Sequence, residues 1–446
     1  MMLFRFRYLL FFTLLAFTLK PGLSDGQTGL VDPYSRYGIG DFNNQPGIQG
    51  FSMGNTGNAL RNDSTTPFTI NLKNPAACFY NRITTIDASV LYTNTGLSSQ
   101  GQQQNASNTY FGYFAIAFPV GKIAGMDMGI VPMSTVGYDI TTNSNLDSIG
   151  PTGNSTNIGT LTNEYSGAGG VNRVFLGLAI SPIKNLSLGI HASYLFGNIT
   201  NVQTITYPLN YSAYNGERLQ NVEVHDFYFN YGLMYSIGKE SGWHGTIGLT
   251  ASLASNVSAN YSLLTENYIV NPGLGIIYYD TLQDSNKAGK IRLPMTYGAG
   301  ITIKKGDKWT FTFDYNVQNW SQFSLFGVQQ TLSNSTQMGL GVEYVPHKNS
   351  EIPHTYLQRI SYRFGLSSSQ SYLDINNTPL HDYAVSFGLG IPVGANRVLD
   401  RVSTLNVGIQ LGQLGTTTNN LVQQDYFKFQ VALTFNDRWF KKRLYE

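Results

Sequence analysis

The clearest pattern in the chain is an alternation of apolar and polar positions in short segments. Residues 309–318 place large apolar side chains at every odd position and mostly small or polar ones between them, and residues 427–435 do the same. A period of two with one apolar face predicts a β-strand. Because a strand of a soluble sandwich alternates in the same way, the loops between the strands have to separate the two architectures.

The same pattern predicts fourteen strands, near 83–95, 108–120, 125–140, 162–181, 186–206, 219–237, 243–262, 289–304, 309–323, 332–345, 355–367, 379–391, 403–412 and 424–435. Every second connection is short and often carries Lys or Arg, as at 121–122, 182–185, 238–242, 304–308, 346–354 and 392–402. The others are mostly longer and rich in Asn, Ser, Thr and Gly, as at 141–160 and 263–287. Short turns on one rim and long polar loops on the other are typical of bacterial barrels, so we predict an all-β, transmembrane antiparallel β-barrel whose short turns and C-terminus are periplasmic.

Composition supports this architecture. Of the 446 residues only 12% are charged, against about 25% in ordinary globular proteins, while 13% are aromatic and 47 are glycine. Low charge with 42% hydrophobic residues fits strands that are apolar on one side only. The formal net charge of +2 gives no indication of nucleic-acid binding.

The only continuous apolar run lies at the start, at residues 8–19, behind Arg5 and Arg7. It is shorter than the roughly 20 residues that a transmembrane helix needs, and it is followed by Pro21-Gly22 and small residues. We therefore predict a signal peptide over residues 1–26 and a mature protein in the outer membrane of a Gram-negative bacterium. Aromatic residues near strand ends, Tyr278-Tyr279, Trp309, Trp320 and Trp439, are interpreted as interfacial girdles, with ordinary strand formers as the alternative.

Residues 27–81 do not alternate, and they are rich in glycine and proline. A barrel of fourteen strands has a lumen that its own side chains do not fill. The sequence therefore predicts an N-terminal hatch, or plug, at 27–81, the barrel at 82–437 and a basic periplasmic tail at 438–446.

Several motifs carry a family resemblance. They are Met53-Gly54-Asn55-Thr56-Gly57, Asp63, Asn74-Pro75-Ala76, residues 165–172, Leu293-Pro294, residues 309–314 with Trp320-Ser321 and Phe323, and residues 434–440. In this order and spacing the chain resembles the FadL family of outer-membrane transporters for hydrophobic molecules, in the form common among Bacteroidetes. The resemblance implies a hatch inside a fourteen-stranded barrel, with hydrophobic ligands captured outside and released sideways through a gap in the wall.

Two features depart from the classical transporters: a longer segment before the barrel, with residues 32–38, and the basic end Lys441-Lys442-Arg443. Members of this family also serve as partners of secretion machinery, so both departures bear on the function.

The resemblance and the strand pattern together give the candidate ligand and gating residues. They are Gly54, Gly57, Asn74, Pro75 and Ala76 in the hatch, and Arg173 and Asp314 on inward positions of strands. Asn74-Pro75-Ala76 is either a gating element or a turn, because Asn before Pro favours extended or turn backbone. Arg173 is either the cation for a ligand carboxylate or half of an ion pair in the lumen.

Nothing in the sequence indicates an enzyme, a cofactor or a metal site. The six histidines, His191, His225, His244, His347, His354 and His381, are scattered and have neither a nucleophile motif nor metal-ligand spacing around them. The glycine-rich stretches lack the Gly-Lys-Ser/Thr ending of a phosphate-binding loop. The single cysteine, Cys78, excludes an intramolecular disulfide.

Two functions follow as hypotheses. The first is passive uptake of hydrophobic small molecules, fatty-acid-like or aromatic, through a barrel gated by the hatch and surrounded by outer-membrane lipid. The alternative is a plugged barrel that is the interaction partner or plug of an outer-membrane protein-secretion complex. A general porin is disfavoured because the N-terminal segment resembles a plug.

Overall fold

The structure is a computed structural model that describes residues 32–42, 46–63, 67–149, 155–208, 211, 213–239, 242–271, 273, 275–347, 356–396 and 401–438. The strands of this part are β1 (Asp41–Phe42), β2 (Thr84–Ser99), β3 (Gln102–Val120), β4 (Ala124–Ile149), β5 (Ser155–Ile183), β6 (Leu186–Thr206), β7 (Asn215–Gly238), β8 (Trp243–Ser252), β9 (Ser255–Asn271), β10 (Gly275–Leu293), β11 (Thr296–Lys305), β12 (Trp309–Gln318), β13 (Ser324–Leu325), β14 (Val328–Gln329), β15 (Ser335–Tyr344), β16 (Ser361–Ile375), β17 (Thr378–Asn396), β18 (Arg401–Leu414) and β19 (Gln423–Asp437).

Helical structure is short. One α-helical turn, α1, covers Ile48–Phe51, and 3-10 turns cover Pro33–Arg36, Pro75–Tyr80, Trp320–Gln322, Tyr356–Arg359 and Thr418–Asn420. No helix in the described residues is long and apolar enough to cross a lipid bilayer. The predicted signal peptide, and the predicted tail beyond Arg438, lie outside the described residues.

The strands close into one antiparallel barrel. β8 continues into β9 across a two-residue bend, and β10 continues into β11 in the same way, so each pair forms one bent wall strand. β19 pairs with β2 over its whole length and closes the sheet. With β1 inside the wall and β13–β14 a small hairpin, the wall has fourteen strands, which confirms the predicted architecture.

The wall has an apolar outside and a polar inside. On β12 the outward side chains of Phe311, Phe313 and Tyr315 are exposed, whereas the inward Thr312 and Asp314 are buried. Because the apolar side chains form a belt around the outside, the wall presents the surface that a bilayer requires of a barrel. Turns such as Gly121–Ile123 and Gly306–Lys308 lie on the rim below this belt.

Above the belt, the wall continues on one side as a tall crown, defined here as the outer halves of β4–β7 and the β9–β10 hairpin. β5 has 29 residues and β4 has 26, whereas β11, β12 and β15 have 10 each. The sequence predicted loops at 141–160 and 263–287, but the structure forms strands across most of both segments. These strands carry polar side chains on both faces, so the alternation that identifies a membrane strand is absent there.

The core of the molecule lies in the lumen. In its outer half, Tyr34 and Ile39 of the N-terminal segment pack with Trp320, Phe323 and Tyr372 of the barrel. The interpretation of Trp320 as an interfacial residue was wrong, because its side chain is fully buried and stacks on Tyr372.

Of the other predicted girdle residues that the structure describes, one fits the interfacial interpretation and two do not. Trp309 lies on the outside beside a short turn, with its ring 4.3 Å from that of Tyr344, as a girdle residue would. Tyr278 and Tyr279 instead lie near the tip of the β9–β10 hairpin, beyond the belt, so that interpretation was wrong for them. Trp439 is outside the described residues.

Candidate functional site

The N-terminal segment, residues 32–81 as far as the structure describes them, touches the inner wall through a ring of glycines. A Cβ atom on any glycine of the ring would lie between 1.8 and 2.8 Å from an atom of the segment. The ring occupies nine wall strands and consists of Gly125, Gly189, Gly232, Gly248, Gly298, Gly300, Gly339, Gly341, Gly365, Gly388 and Gly408. Segment and wall are therefore packed almost backbone to backbone, which accounts for part of the high glycine content.

Asp314 anchors the middle of the N-terminal segment to β12. Its Oδ2 accepts hydrogen bonds from the backbone N–H groups of Gly57, at 2.7 Å, and Asn58, at 2.9 Å. The Lys73 ammonium, also from the segment, lies 3.2 Å from the same oxygen, and both side chains are almost fully buried. A buried carboxylate with a paired cation and two amide donors is a strong anchor, because each group compensates the desolvation of the other.

Asn74, Pro75 and Ala76 form a second anchor. The Asn74 side chain accepts a hydrogen bond from the Ala76 N–H at 3.0 Å and so caps the 3-10 turn that Pro75 begins. Its Nδ2 donates to the backbone oxygen of Asn58 at 2.6 Å, which joins this turn to the glycine-rich stretch. The motif is thus a capped turn pressed against the wall at Gly232.

The remaining predicted residues lie elsewhere around the ring. The Gly54 N–H donates to the Ser386 hydroxyl at 3.0 Å, and the φ of Gly54 is +70°, which favours glycine there. Arg173 is buried and donates long hydrogen bonds to Asn230, at 3.3 Å, and to the Leu72 oxygen, at 3.5 Å. No ion pair involves it in the described residues, so the structure does not give Arg173 the ion-pair partner that the sequence suggested. Gly57, Asn74 and Asp314 meet around Asn58, whereas Gly54 and Arg173 do not.

A third anchor, around Asp63, was not found from the sequence. The Asp63 carboxylate lies 2.9 Å from the Lys304 ammonium and 3.3 Å from both His244 Nε2 and Arg61 Nη1. Lys304 was assigned to a surface turn, although it shares the inward phase of Thr302 on β11. This inward position in the alternation of β11 is the sequence feature that would have identified Lys304 as a partner inside the lumen.

The Asp63 anchor gives a pH-dependent prediction. Burial alone raises the pKa of the Asp63 carboxyl, but the Lys304 ammonium, with hydrogen bonds from His244 and Lys304, brings that pKa well below its usual range. A depressed folded pKa means that the stabilisation is complete above the unfolded value of about 3.9 and is lost as pH falls through the folded pKa. We expect the labelling rate of buried Cys78 by dithiodipyridine, divided at each pH by the rate for a small free thiol, to show no rise from about pH 7 to 5 and to rise only below about pH 4.

The Asp63→Asn variant is the control for this prediction. Its Cys78 labelling should be faster than that of the wild type above about pH 4 and should lack most of the acid rise. A rise centred between about pH 5 and 6 in the wild type would contradict the assignment to Asp63.

Above the anchors lies a cavity of about 230 Å³. Its wall carries the charged side chains of Asp32, Asp41, Asp382 and Lys428. Amide and hydroxyl groups supply much of the rest, among them Gln318, Gln337, Gln410, Gln424, Gln430, Ser335 and Ser369. A purely apolar molecule there would take these polar groups out of water without hydrogen bonds in return, which is unfavourable.

The wall has a gap beside this cavity. β3 and β4 pair only from Phe114–Ile130 down to Val120–Ala124, so in the described residues their outer parts have no pairing with each other. Part of the exposed β4 edge is covered from inside by the N-terminal segment: β1 pairs with β4, and the Asp32 N–H donates to the Gly137 oxygen at 2.7 Å. The segment thus takes the place of β3 along this stretch.

The histidines in the described residues form no catalytic arrangement. His191 faces the lumen, and its Nε2 lies 3.1 Å from Asp127, with both side chains buried. In the described part of the chain, no three His, Cys, Asp or Glu side chains lie close enough together to hold a metal ion.

Comparison with known proteins finds one family model and several solved structures of similar fold. The family model described as BamG matches residues 7–446. Similar solved structures include the toluene transporter TbuX of Ralstonia pickettii (14% identity, TM-score 0.55, 89% of this chain and 99% of that one) and the toluene transporter TodX of P. putida (13%, 0.54, 90% and 100%).

A FadL homologue of Pseudomonas aeruginosa is similar to the same degree, with 13% identity, a TM-score of 0.53, and 90% and 99% of the two chains covered. Among curated proteins no match was found. At these identities the likeness concerns the fold alone, and for the fold it confirms the expected resemblance to FadL-type channels.

Proposed function

The chain belongs to the BamG family, and from this starting point we propose that it is a plugged outer-membrane barrel of a Gram-negative bacterium that docks a partner protein in an outer-membrane protein complex. One observation carries the proposal: an aromatic patch, exposed to water, at the tip of the crown. The fold, the anchored N-terminal segment and the polar cavity support it.

The crown is far taller than membrane spanning requires. A tilted transmembrane strand needs about 9–11 residues, whereas β4, β5 and β7 have 26, 29 and 24. At about 3.3 Å per residue, the extra residues carry the sheet some tens of ångströms along the strand direction beyond the belt. Because the crown rises on one side of the barrel only, its lateral surface is accessible to a neighbouring protein.

The crown patch consists of exposed residues at the outer ends of β7 and β10. Tyr214, Tyr278 and Tyr279 are 54%, 49% and 59% exposed, and Ile276 and Leu282 are 57% and 59% exposed. The Tyr214 and Tyr279 rings lie 5.2 Å apart. Clustered aromatic side chains in water mark interaction sites, since tyrosine is enriched at interface hot spots.

The N-terminal segment supports the same function by closing the lumen. It is anchored at Asp314, Asn74 and Asp63 and packed against the glycine ring. We therefore propose a plug that is fixed rather than one that opens during transport. A fixed plug makes the barrel a stable membrane-embedded platform for the crown.

We expect the triple substitution of Tyr214, Tyr278 and Tyr279 by serine to release the partner. Removing several hot-spot aromatics costs about 2 kcal/mol or more, so the amount of partner that purifies with the protein in mild detergent should fall at least tenfold. The measurement is the mass of the native complex, with heat-modifiable migration on a gel as the check that the barrel is folded.

Tyr383→Ser and Tyr279→Ser make a matched pair of single variants, because the two side chains are 58% and 59% exposed on different parts of the wall. Only Tyr279→Ser should weaken the complex. A wild-type protein that purifies alone, or a complex that the triple variant leaves intact, would refute the docking function.

The gap between β3 and β4 favours a second candidate function, uptake of fatty-acid-like or aromatic small molecules. The gap adjoins the lumen and is covered by the N-terminal segment at β1, which would then act as the gate. Uptake of toluene or a long-chain fatty acid by proteoliposomes separates the two functions. Transport requires uptake by the isolated protein, whereas docking does not.

A further inference from the structure

A second cavity, of about 270 Å³, lies where the N-terminal segment meets the inner face of the crown. Arg36 and Tyr37 of the segment form one side of it. Tyr138, Tyr165, Asn201, Gln203, Gln220 and Arg218, from β4 to β7, form the other. Neither the docking function nor the uptake function uses this cavity.

Strand register explains why basic and amide side chains gather here. Tyr165 pairs with Gln203, and Gln203 pairs with Arg218, so these three side chains form one row across β5, β6 and β7. Residues directly opposite each other in a ladder point to the same face of the sheet. In the next inward row Asn201 pairs with Gln220.

The same register places the acidic residues of this region on the other face. Glu164 and Glu217 each precede a residue of the first row by one position along their strands, and Glu217 pairs with Glu266. Because successive side chains alternate between faces, these three carboxylates point away from the cavity. Among the residues that the structure describes, no Asp or Glu lines the cavity.

Both arginines lack a carboxylate partner in the described part of the chain. The Arg36 guanidinium lies 4.8 Å from the centre of the Tyr37 ring and donates to the Tyr37 hydroxyl at 2.6 Å. No hydrogen bond or ion pair of the Arg218 side chain occurs in the described residues. Two guanidinium groups, from two different elements, therefore carry uncompensated positive charge at one cavity.

The neutral side chains add further hydrogen-bond donors. The Tyr165 hydroxyl accepts from Gln203 at 3.3 Å, which leaves its own hydrogen free to donate. Asn201 accepts from the Tyr138 hydroxyl at 2.8 Å through Oδ1, which leaves its Nδ2 hydrogens free. Guanidinium, hydroxyl and amide donors without acidic neighbours are the arrangement that binds a phosphate group.

We propose that this cavity binds a small phosphate-bearing ligand from the external medium or from a lipid headgroup, with Arg36 and Arg218 holding the phosphate and Tyr165 and Asn201 donating to its oxygens. The cavity is near the lower end of the roughly 300–1,000 Å³ usual for ligand pockets, so the ligand is small. Because Arg36 belongs to the N-terminal segment and Arg218 to the crown, bound phosphate joins the two.

Calorimetric titration of the full-length protein with inorganic phosphate and with glucose 6-phosphate, in a buffer of low ionic strength, tests the proposal. We expect saturable binding of at least one probe by the wild type. The double variant Arg36→Gln/Arg218→Gln should bind at least tenfold more weakly while keeping its heat-modifiable migration.

Lys122→Gln/Lys239→Gln is the matched control, since it also removes two positive charges, from exposed turns on the opposite rim. It should bind like the wild type. Adding lipopolysaccharide micelles distinguishes the two sources. The micelles displace the bound probe if the natural ligand is a lipid headgroup, and they leave the probe in place if it is a soluble molecule. Both results support the site. Absence of saturable binding of both probes, or equal weakening in the two double variants, would overturn the proposal.

Discussion

The Asp314→Ala variant should release the N-terminal segment from the wall while the barrel itself stays folded. The substitution removes the acceptor for two backbone N–H groups and leaves the buried Lys73 ammonium without its carboxylate partner, with only the Asn55 backbone oxygen as an acceptor among the described residues. Breaking one side of a buried pair destabilises by about 3–5 kcal/mol. The maleimide labelling rate of Cys78, the sole cysteine and a buried one, should rise about a hundredfold or more.

A charge-neutral double variant, Asp314→Asn/Lys73→Gln, controls for the lost ion pair. It keeps an acceptor for Gly57 and Asn58 and leaves no unpaired charge, so its labelling rate should stay much closer to that of the wild type. Conductance in planar bilayers should rise for Asp314→Ala and stay low for the double variant. A wild-type labelling rate in Asp314→Ala would show that Asp314 does not anchor the segment.

The Gly248→Val variant should displace the N-terminal segment from the wall by steric clash, without any change of charge. A Cβ at Gly248 would lie 1.8 Å from the backbone oxygen of Asn58, and backbone cannot rotate away as a side chain can. Overpacking of this kind costs about 1–3 kcal/mol or more, so Cys78 labelling should accelerate about tenfold or more.

Gly245→Val on the same strand is its matched control. A Cβ at Gly245 meets no atom closer than 3.7 Å, and the position is on the outward phase of β8. Valine is also a better strand former than glycine. If both variants labelled Cys78 equally fast, a general weakening of β8 would explain the effect, and the glycine ring would have no special role.

The wall was predictable because its alternation follows directly from an apolar outer surface and a polar lumen. All fourteen wall strands overlap the segments that the pattern predicted, although some have other ends, as with β16, which was predicted near 355–367 and covers Ser361–Ile375. The crown was missed because both of its faces are polar, so the alternation stops although the strands continue. Tyr278-Tyr279 were misplaced for that reason.

The candidate site was predictable only in part. Gly57, Asn74 and Asp314 were named, and the structure brings them together through Asn58. Their partners could not be named, because they lie far away in the sequence: Asp314 is 257 positions from Gly57. No local sequence pattern indicates such a contact. Lys304, whose side chain points into the lumen, was interpreted as one more basic residue of a turn.

These sequence separations also determine the order in which the protein can fold. The segment at residues 32–81 is synthesised before every wall strand, yet its partners extend to Asn436 on the last strand, 368 positions from Phe68. Contacts of such range form slowly, since the chain between them must be ordered first. This N-terminal segment is therefore synthesised early but is among the last parts to become ordered, when the closing strands β2 and β19 have enclosed it.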